Sequence, residues 1–479
     1  MFKQKGKLTM WHGRFTQDMD DLVCKFTQSL DLDWRMVLAD IRGSIAHVRM
    51  LAKVGLITNE EKISIEKTLK EIASDAVKGI LKPVESLEDV HMNVESQLIE
   101  RIGDIGAKLH TGRSRNDQAN VTVRIYMREK IIDLWELMST LLQTLLIKAE
   151  EHKKIIIPGY THMQQAQPIS MGHFWMAHYQ SFIRDAERLL RAYESFDESP
   201  LGAGALAGTT LPVDRYFTAE DLGFSKVTEN SMDSVASRDH IIDFHHFASV
   251  FGIHASRLSE DLIIYFTSEF GWLKIPDAFC TGSSMMPQKK NPDVLEIIRG
   301  KAGQLIGSHV DSLVMIKGTP LTFNRDFQED KRGLWNSYSA LELILGIMPP
   351  LLSEVQVDSS IARQGFKDGF IFATDVAEHL VERGVPFRKA HEIVGGIVSW
   401  CTKNDRTLTS LTLQEWKELA PQASEELPSL LTPEKSVERR NTVGGTSSQR
   451  LSEQIEHGKE KLKNIDKKFT SYKRRLPVL

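Results

Sequence analysis

Residues 113–157 contain neither proline nor glycine. These two residues are the strongest interrupters of a helix. Proline lacks an N–H and clashes with the preceding turn, and glycine loses the most backbone entropy. Within the stretch, Ile131, Leu134, Met138, Leu141 and Leu145 recur at steps of three and four, and Trp135 and Leu142 widen the apolar face. That period predicts a long helix buried along a broad stripe. A second uninterrupted stretch covers 173–199, and two more, 224–251 and 253–270, are divided only by Gly252. Alternating β-branched strands are scarce. The expected fold is all-α, an extended bundle of long helices. Such helices need partners along their whole length, more than one chain's bundle supplies, so a helical oligomer is expected.

Breaks in the pattern divide the chain into 1–112, 113–361 and 362–479. The first region ends near Thr111 and Gly112. The second holds the long helices and closes after Pro349 and Pro350. The third starts near Ala362 with shorter helices and ends in a basic tail, KEKLKNIDKKF. With 479 residues the chain can bury a large core. Its formal charge of −4 disfavours a general nucleic-acid surface. Cys24, Cys280 and Cys401 are odd in number and far apart, which suits a reducing compartment and neither a disulfide framework nor a paired-cysteine zinc site. The amino terminus, MFKQKGKLTMWHGRF, has no apolar run of signal-peptide length. The most apolar stretch, 131–146, is interrupted by Asp133 and Glu136 and is too short to span a bilayer. A cytoplasmic protein without a membrane partner is expected.

Three polar segments carry the chemistry. In KLHTGRSRNDQ, residues 108–118, Ser114 followed by Asp117 reads as a capping box opening the longest helix. A helix N-terminus attracts anions, and Arg113 and Arg115 add positive charge suited to carboxylates. A capped surface helix with solvated arginines is the competing reading. In PGYTHMQQAQP, residues 158–168, Tyr160, Thr161, His162, Gln164 and Gln167 crowd donors and acceptors into a connector between two long helices. His162 can titrate near neutrality, although a lone histidine there is more often structural. In TGSSMMPQKKNPD, residues 281–293, Gly282, Ser283 and Ser284 form a flexible tip, and Lys289 and Lys290 precede Asn291 and Pro292, which read as an N-cap and a first helical proline. Phosphate-loop spacing is absent. Together the segments suit a small polycarboxylate. No metal constellation competes: HMNVE at His91 lacks HExxH spacing, and His245 and His246 read as packing residues.

TGSSMMPQKKNPD resembles the mobile loop of the fumarase/aspartase superfamily, and KLHTGRSRNDQ resembles the form found in argininosuccinate lyases and δ-crystallins. WHGRF at Trp11, EDVHMNVE at Glu88, PGYTHMQ, PLGAGALAG at Pro200, FNRDFQEDK at Phe323 and FATDVAEHLVERGVPFRKAH at Phe372 fit the same pattern in the same order. The resemblance implies a three-domain fold whose central helices assemble four subunits around a twenty-helix core, each active site drawing on three subunits. It implies reversible anti elimination of argininosuccinate to arginine and fumarate, with no metal or organic cofactor. By correspondence, Ser283 is the base, His162 its partner in proton transfer, Glu296 orients His162, and Lys289 stabilises the aci-carboxylate. Substrate-binding positions fall on Ser29, Asp89, Arg115, Asn116, Thr161, Asn291, Phe323, Arg325, Gln328 and Lys331, with Arg113 and Ser114 in the same loop and Asp33 supporting loop geometry.

The chain departs from that pattern in places. Phe323 stands where tyrosine is usual, Arg325 where lysine is frequent, Thr122 where aspartate is common and His12 where glycine is usual. The carboxy-terminal GGTSSQR is slightly off pattern. Phe323 lacks a hydroxyl that would reach substrate, which keeps open a related lyase acting on another N-substituted aspartate. A recruited, low-activity crystallin-like protein is a further alternative, because fold alone does not fix function.

Overall fold

The computed structural model describes residues 19–479, so the WHGRF motif and His12 lie outside the described residues. The amino-terminal part is built from α1 (Asp21–Thr27), α2 (Val37–Lys53), α3 (Asn59–Val77) and α4 (Val90–Ile102). Thr58 and Glu61 open α3 with a reciprocal capping box, and Asp89 caps α4 by accepting the Met92 N–H at 2.7 Å. Ile41, Ile45, Val48, Ile65, Leu69 and Leu98 close a core of their own between these helices.

The centre is a bundle of five long helices: α5 (Arg115–Glu151), α6 (Met171–Phe196), α7 (Asp239–Phe266), α8 (Asp293–Ile316) and α9 (Asp330–Glu354). The 37 residues of α5 extend roughly 55 Å. Its expected stripe is buried throughout, from Ile131 and Leu134 to Leu142 and Leu145. The expected break at Gly252 is absent: α7 runs through it. A Cβ there would meet Leu305 Cδ1 at 3.0 Å and the Ala302 Cα at 3.3 Å, so the glycine lets α7 and α8 approach closely. The stretch 224–251 is not one helix. A short helix, Ser231–Ala236, ends at Ser237, and α7 begins only at Asp239. The last long helix of the bundle ends at Glu354, shortly after Pro349 and Pro350. Both prolines lie within α9, which Met348, Leu351 and Leu352 hold against the core to its end.

The connector after α5 is a β-hairpin, β1 (Ile156–Thr161) and β2 (Gln164–Ser170), with a register shift at Gly159/Tyr160. A second, minimal ladder pairs β3 (Thr281–Gly282) with β4 (Lys290–Asn291). Asn291 is therefore a strand residue. The cap position of α8 passes to Pro292, and Asp293, at the head of α8, accepts the Thr281 hydroxyl. The carboxy-terminal part includes α10 (Ala373–Glu382), α11 (Phe387–Lys403) and α12 (Ser448–Lys473). Phe372, Val376, Leu380, Ile397 and Trp416 form its core. α12 departs from the expectation that 362–479 is one unit. Its Leu451, Ile455, Leu462 and Phe469 join the bundle core, Phe469 stacking on Trp135 at 4.6 Å. No described helix is long and apolar enough to cross a membrane.

Candidate active site

Three separate stretches of the chain converge at one end of the bundle. After α1, the Ser29 hydroxyl donates to the Asp33 carboxylate, and the Ser29 N–H donates to the Glu88 carbonyl at 2.9 Å. This ties residues 27–33 to the head of α4. There one oxygen of Asp89 caps the helix and the other lies 3.2 Å from Arg115 Nε. Arg115, the first residue of α5, also donates to Gln118 Oε1 at 2.6 Å and lies 3.7 Å from Glu95. The turn preceding α9 closes the third side. Gln328 Nε2 donates to the Thr27 and Gln28 carbonyls at 2.9 and 3.1 Å, while Arg325 donates to the Thr27 carbonyl at 2.7 Å and pairs with Glu88. Lys331 donates to Asp330 at 3.0 Å, and the other Asp330 oxygen accepts Arg238 Nε at 2.6 Å.

These groups line a cavity of about 100 Å³. Seven of the expected binding residues meet there: Ser29, Asp89, Arg115, Phe323, Arg325, Gln328 and Lys331. Asp33 lines it as well. Burial pushes the Asp33 carboxyl above its ordinary value against the pull of Lys331 and His91. The sequence reading had not singled out Glu88, Arg238, His240 or Asp330 as lining residues. Glu88 and Asp330 sit inside the quoted motifs EDVHMNVE and FNRDFQEDK, so adjacency to Asp89 and Lys331 was the available signal. Arg238 and His240 carried none, because only the fold brings the start of α7 to this place.

A buried network underlies the cavity. Asp40 accepts from His91 Nδ1 at 2.7 Å, from Gln118 Nε2 at 2.8 Å and from Thr122 Oγ1 at 3.4 Å. Burial raises its carboxyl, but His91, Arg113 and Gln118 overcome this and hold it well below the usual carboxylate range. Arg113 is buried here, donating to Ser44 Oγ at 3.1 Å. Ser114 forms the expected capping box with Asp117. Burial pushes the Asp117 carboxyl up to about 6, although the N–H groups of Gly204, Ser114 and Gly202 all point at it. Asn116 turns to the 200–208 loop, donating to the Ala205 carbonyl at 3.0 Å.

The remaining expected residues stand elsewhere. Thr161, His162, Ser283, Lys289, Asn291 and Glu296 do not line this cavity. His162 and Met163 form the exposed two-residue tip of the β1–β2 hairpin, with φ of 54° and 58°. Two-residue hairpin turns favour positive φ at both positions, which is uncommon for side chains of this size. Ser283 opens the β3–β4 loop, where its Oγ accepts the Met286 N–H at 3.0 Å and the Met285 N–H at 3.3 Å. Backbone N–H groups converging on one oxygen stabilise negative charge there. Lys290 is tied to the Ile275 carbonyl and, at 2.6 Å, to Asp277. The Lys289 amine has no protein partner among the described residues and is exposed. Glu296 is exposed on the first turn of α8, 3.9 Å from Arg299. Among the described residues, no group of three or more His, Cys, Asp or Glu side chains is placed to hold a metal ion.

The Lyase family model matches residues 13–307, and the model for the argininosuccinate lyase C-terminal region matches 370–438. The argininosuccinate lyase of Deinococcus radiodurans is 45% identical over 465 residues, 97% of this chain and 99% of that one. The chain belongs to the argininosuccinate lyase family. A second member, from Syntrophotalea carbinolica, is 44% identical over 93% of this chain and 96% of its own length. Among solved structures, an EDDS lyase variant with bound fumarate superposes with a TM-score of 0.82 at 27% identity, covering 92% of this chain and 89% of that one. A class II fumarase from Schistosoma mansoni shares the fold at 17% identity, with a TM-score of 0.73 over 86% of this chain and 92% of that one. The family's fold is the fumarase/aspartase fold, built mostly of helices as the periodicity predicted.

Proposed function

We propose that the chain is a carbon–nitrogen lyase that converts argininosuccinate reversibly to L-arginine and fumarate by anti elimination, in the cytoplasm. The observation that carries this reading is the Ser283 oxygen under two backbone N–H groups, in a chain that matches curated argininosuccinate lyases along almost its whole length. The Ser283 alkoxide takes a proton from the carbon next to one succinate carboxylate. Charge spreads into that carboxylate as an aci-carboxylate, which the free Lys289 amine stabilises. The C–N bond then breaks and the leaving guanidino nitrogen gains a proton, His162 sharing in proton transfer and Glu296 orienting it. A preorganised donor of this kind is typically worth about 3–4 kcal/mol of barrier. Asn291 and Thr161 belong to the same succinyl-binding side, with Asn116, Arg113 and Ser114 on the α5 loop. Neither a metal nor an organic cofactor takes part.

The assembly proposed is a homotetramer whose sites each draw on three subunits. Two observations support it. The reactive hairpin tip and loop do not line the cavity formed by their own chain. α8 also exposes an apolar face with Ile297, Val310 and Val314 each more than half exposed, flanked by Gly300, Gly303 and Gly307, beside each of which a Cβ would meet nothing. An uncovered face of this kind marks an interaction surface.

The deciding experiment offers argininosuccinate, adenylosuccinate and aspartate separately and follows fumarate absorbance. Fumarate from argininosuccinate alone is expected. Phe323 in the cavity wall favours one second reading, a lyase for another N-substituted aspartate, and preferential release from adenylosuccinate or aspartate would select a lyase of that wider kind.

A further inference from the structure

Residues 444–446, the Gly-Gly-Thr of GGTSSQR, form a turn with little freedom. Gly444 has φ 81°, in the left-handed region that favours glycine. At Gly445 an added Cβ would stand 2.2 Å from the Arg440 carbonyl oxygen and 2.9 Å from that of Thr442. The Arg440 guanidinium is held in turn by the buried Asp375 carboxylate of α10, at 2.9 and 3.2 Å. The turn is thereby fixed to the carboxy-terminal part. What it presents is the buried Thr446 hydroxyl, which accepts the Ser170 N–H at 2.9 Å.

Ser170 is the last residue of β2 and the cap of α6. Its own hydroxyl accepts the Gly172 N–H at 3.0 Å and donates to the Lys153 carbonyl at 2.8 Å. Across the ladder its partner Ile156 packs in the carboxy-terminal core with Phe372 and Val376, not in the bundle core. Further out, Gly365 lies against the hairpin: a Cβ there would meet Pro158 Cγ at 2.7 Å and Gln165 Nε2 at 3.0 Å. Tyr160 packs on the rings of Phe270 and Trp272, at 5.6 and 5.8 Å. A two-stranded hairpin is marginally stable at best by itself, so what it rests on sets its direction. From Ser170 to the tip, β2 runs about 20 Å. A swing of about 3° at the root therefore carries His162 about 1 Å, and a misplacement of that size can cost about 100-fold in rate.

We propose that Thr446 is a positioning residue for His162 and that Gly365 acts with it, the carboxy-terminal part seating the hairpin that carries the proton-transfer group. Both act through the hairpin and not on the reacting atoms. Without the Thr446 oxygen the buried Ser170 N–H loses its acceptor, and the end of β2 must shift to find another. The assignment rests on the reading of His162 as a partner in proton transfer.

The test compares the full-length wild type with Thr446→Val, Thr446→Ser and Gly365→Ala, measuring kcat for fumarate release from argininosuccinate and calorimetric binding of arginine. Thr446→Val keeps the shape and removes the acceptor, and its kcat should fall by about 100-fold. Arginine lacks the succinyl group that Thr161 and His162 serve, so its dissociation constant should stay within about twofold. Thr446→Ser, which keeps the acceptor, should stay within about threefold of the wild-type kcat. Gly365→Ala pushes on Pro158 without touching Thr446 and should lower kcat by about tenfold, again at unchanged arginine affinity. Should Thr446→Val fail to fold, Gly365→Ala decides alone. Wild-type kcat in the folded variants, or arginine affinity falling in step with kcat, overturns the positioning role. His162→Asn, measured alongside, separates the two claims: if it is disabled while Thr446→Val turns over normally, only the positioning role falls, and if it releases fumarate like the wild type, the reading of His162 falls with it.

Discussion

The cavity wall and the two reactive loops are built on opposite principles. Apart from the more exposed Glu88–Arg325 pair, the charged groups around the cavity are pinned: Arg115 by Asp89 and Gln118, Lys331 by Asp330, Asp330 by Arg238, and Asp40 by His91 and Gln118. At the hairpin tip and on the β3–β4 loop, His162 and Lys289 are exposed and Ser283 bonds only to its own loop. On the proposed function, one region is a binding surface finished within a single chain, and the other offers chemical groups that need a surface from outside. The contrast explains how one chain can look complete as a binder and incomplete as a catalyst, and it sets what each kind of substitution should do.

The largest effect is expected at the loop. Ser283→Ala should lower fumarate release by about a thousandfold, the scale of a lost general base. Because its contacts are local, the melting temperature should not move. A matching loss of stability would place Ser283 with the pinned region instead. Arg238→Met should do the opposite, destabilising by about 3 kcal/mol in urea unfolding because it breaks a pair almost fully removed from water. An unchanged midpoint would show that the cavity floor is not held by its ion pairs.

Acid should act on the pinned region first. Burial, then Arg113, presses His47 to about 3, and burial, then His309, presses His245 to about 4. Both titrate near 6.5 in the unfolded chain, which therefore takes up protons first as pH falls. Their stabilisation is complete above about pH 6.5 and is lost as pH drops toward the folded values, roughly 2 kcal/mol for each by pH 5. Melting temperature should fall steeply from pH 7 to pH 5, and His245→Gln should flatten part of that slope. The smallest effect belongs to Phe323→Tyr, which should lower KM for argininosuccinate by about tenfold or less. An unchanged or higher KM would show that the pocket has adapted to the missing hydroxyl.

Much of this architecture was readable in the residues. The stripe from Ile131 to Leu145 marked α5 because a buried helix needs an apolar residue at every turn. Ser114 and Asp117 marked its start because a capping box is local chemistry. The hairpin at 156–170 was not visible, since its polar residues show no two-residue alternation and its turn uses His162 and Met163 where glycine or asparagine is usual. Asn291 misled for a related reason: a two-residue ladder claimed its backbone before the helix could. The return of α12 to the bundle rests on contacts spanning more than 300 residues, such as Trp135 with Asp466, which no local pattern records. At the site, motif residues announced themselves, whereas Arg238 and His240 became legible only when the fold carried them to the cavity.

The central claim is that the serine and histidine serving one site come from different copies of the chain. Ser283→Ala and His162→Asn should each be inactive alone. If the two are unfolded together, mixed equally and refolded, random assembly should restore about a quarter of wild-type fumarate release, because half of the copies supply each group. No recovery in a mixture that has reassembled to the wild-type size would contradict the account and return both groups to a single chain.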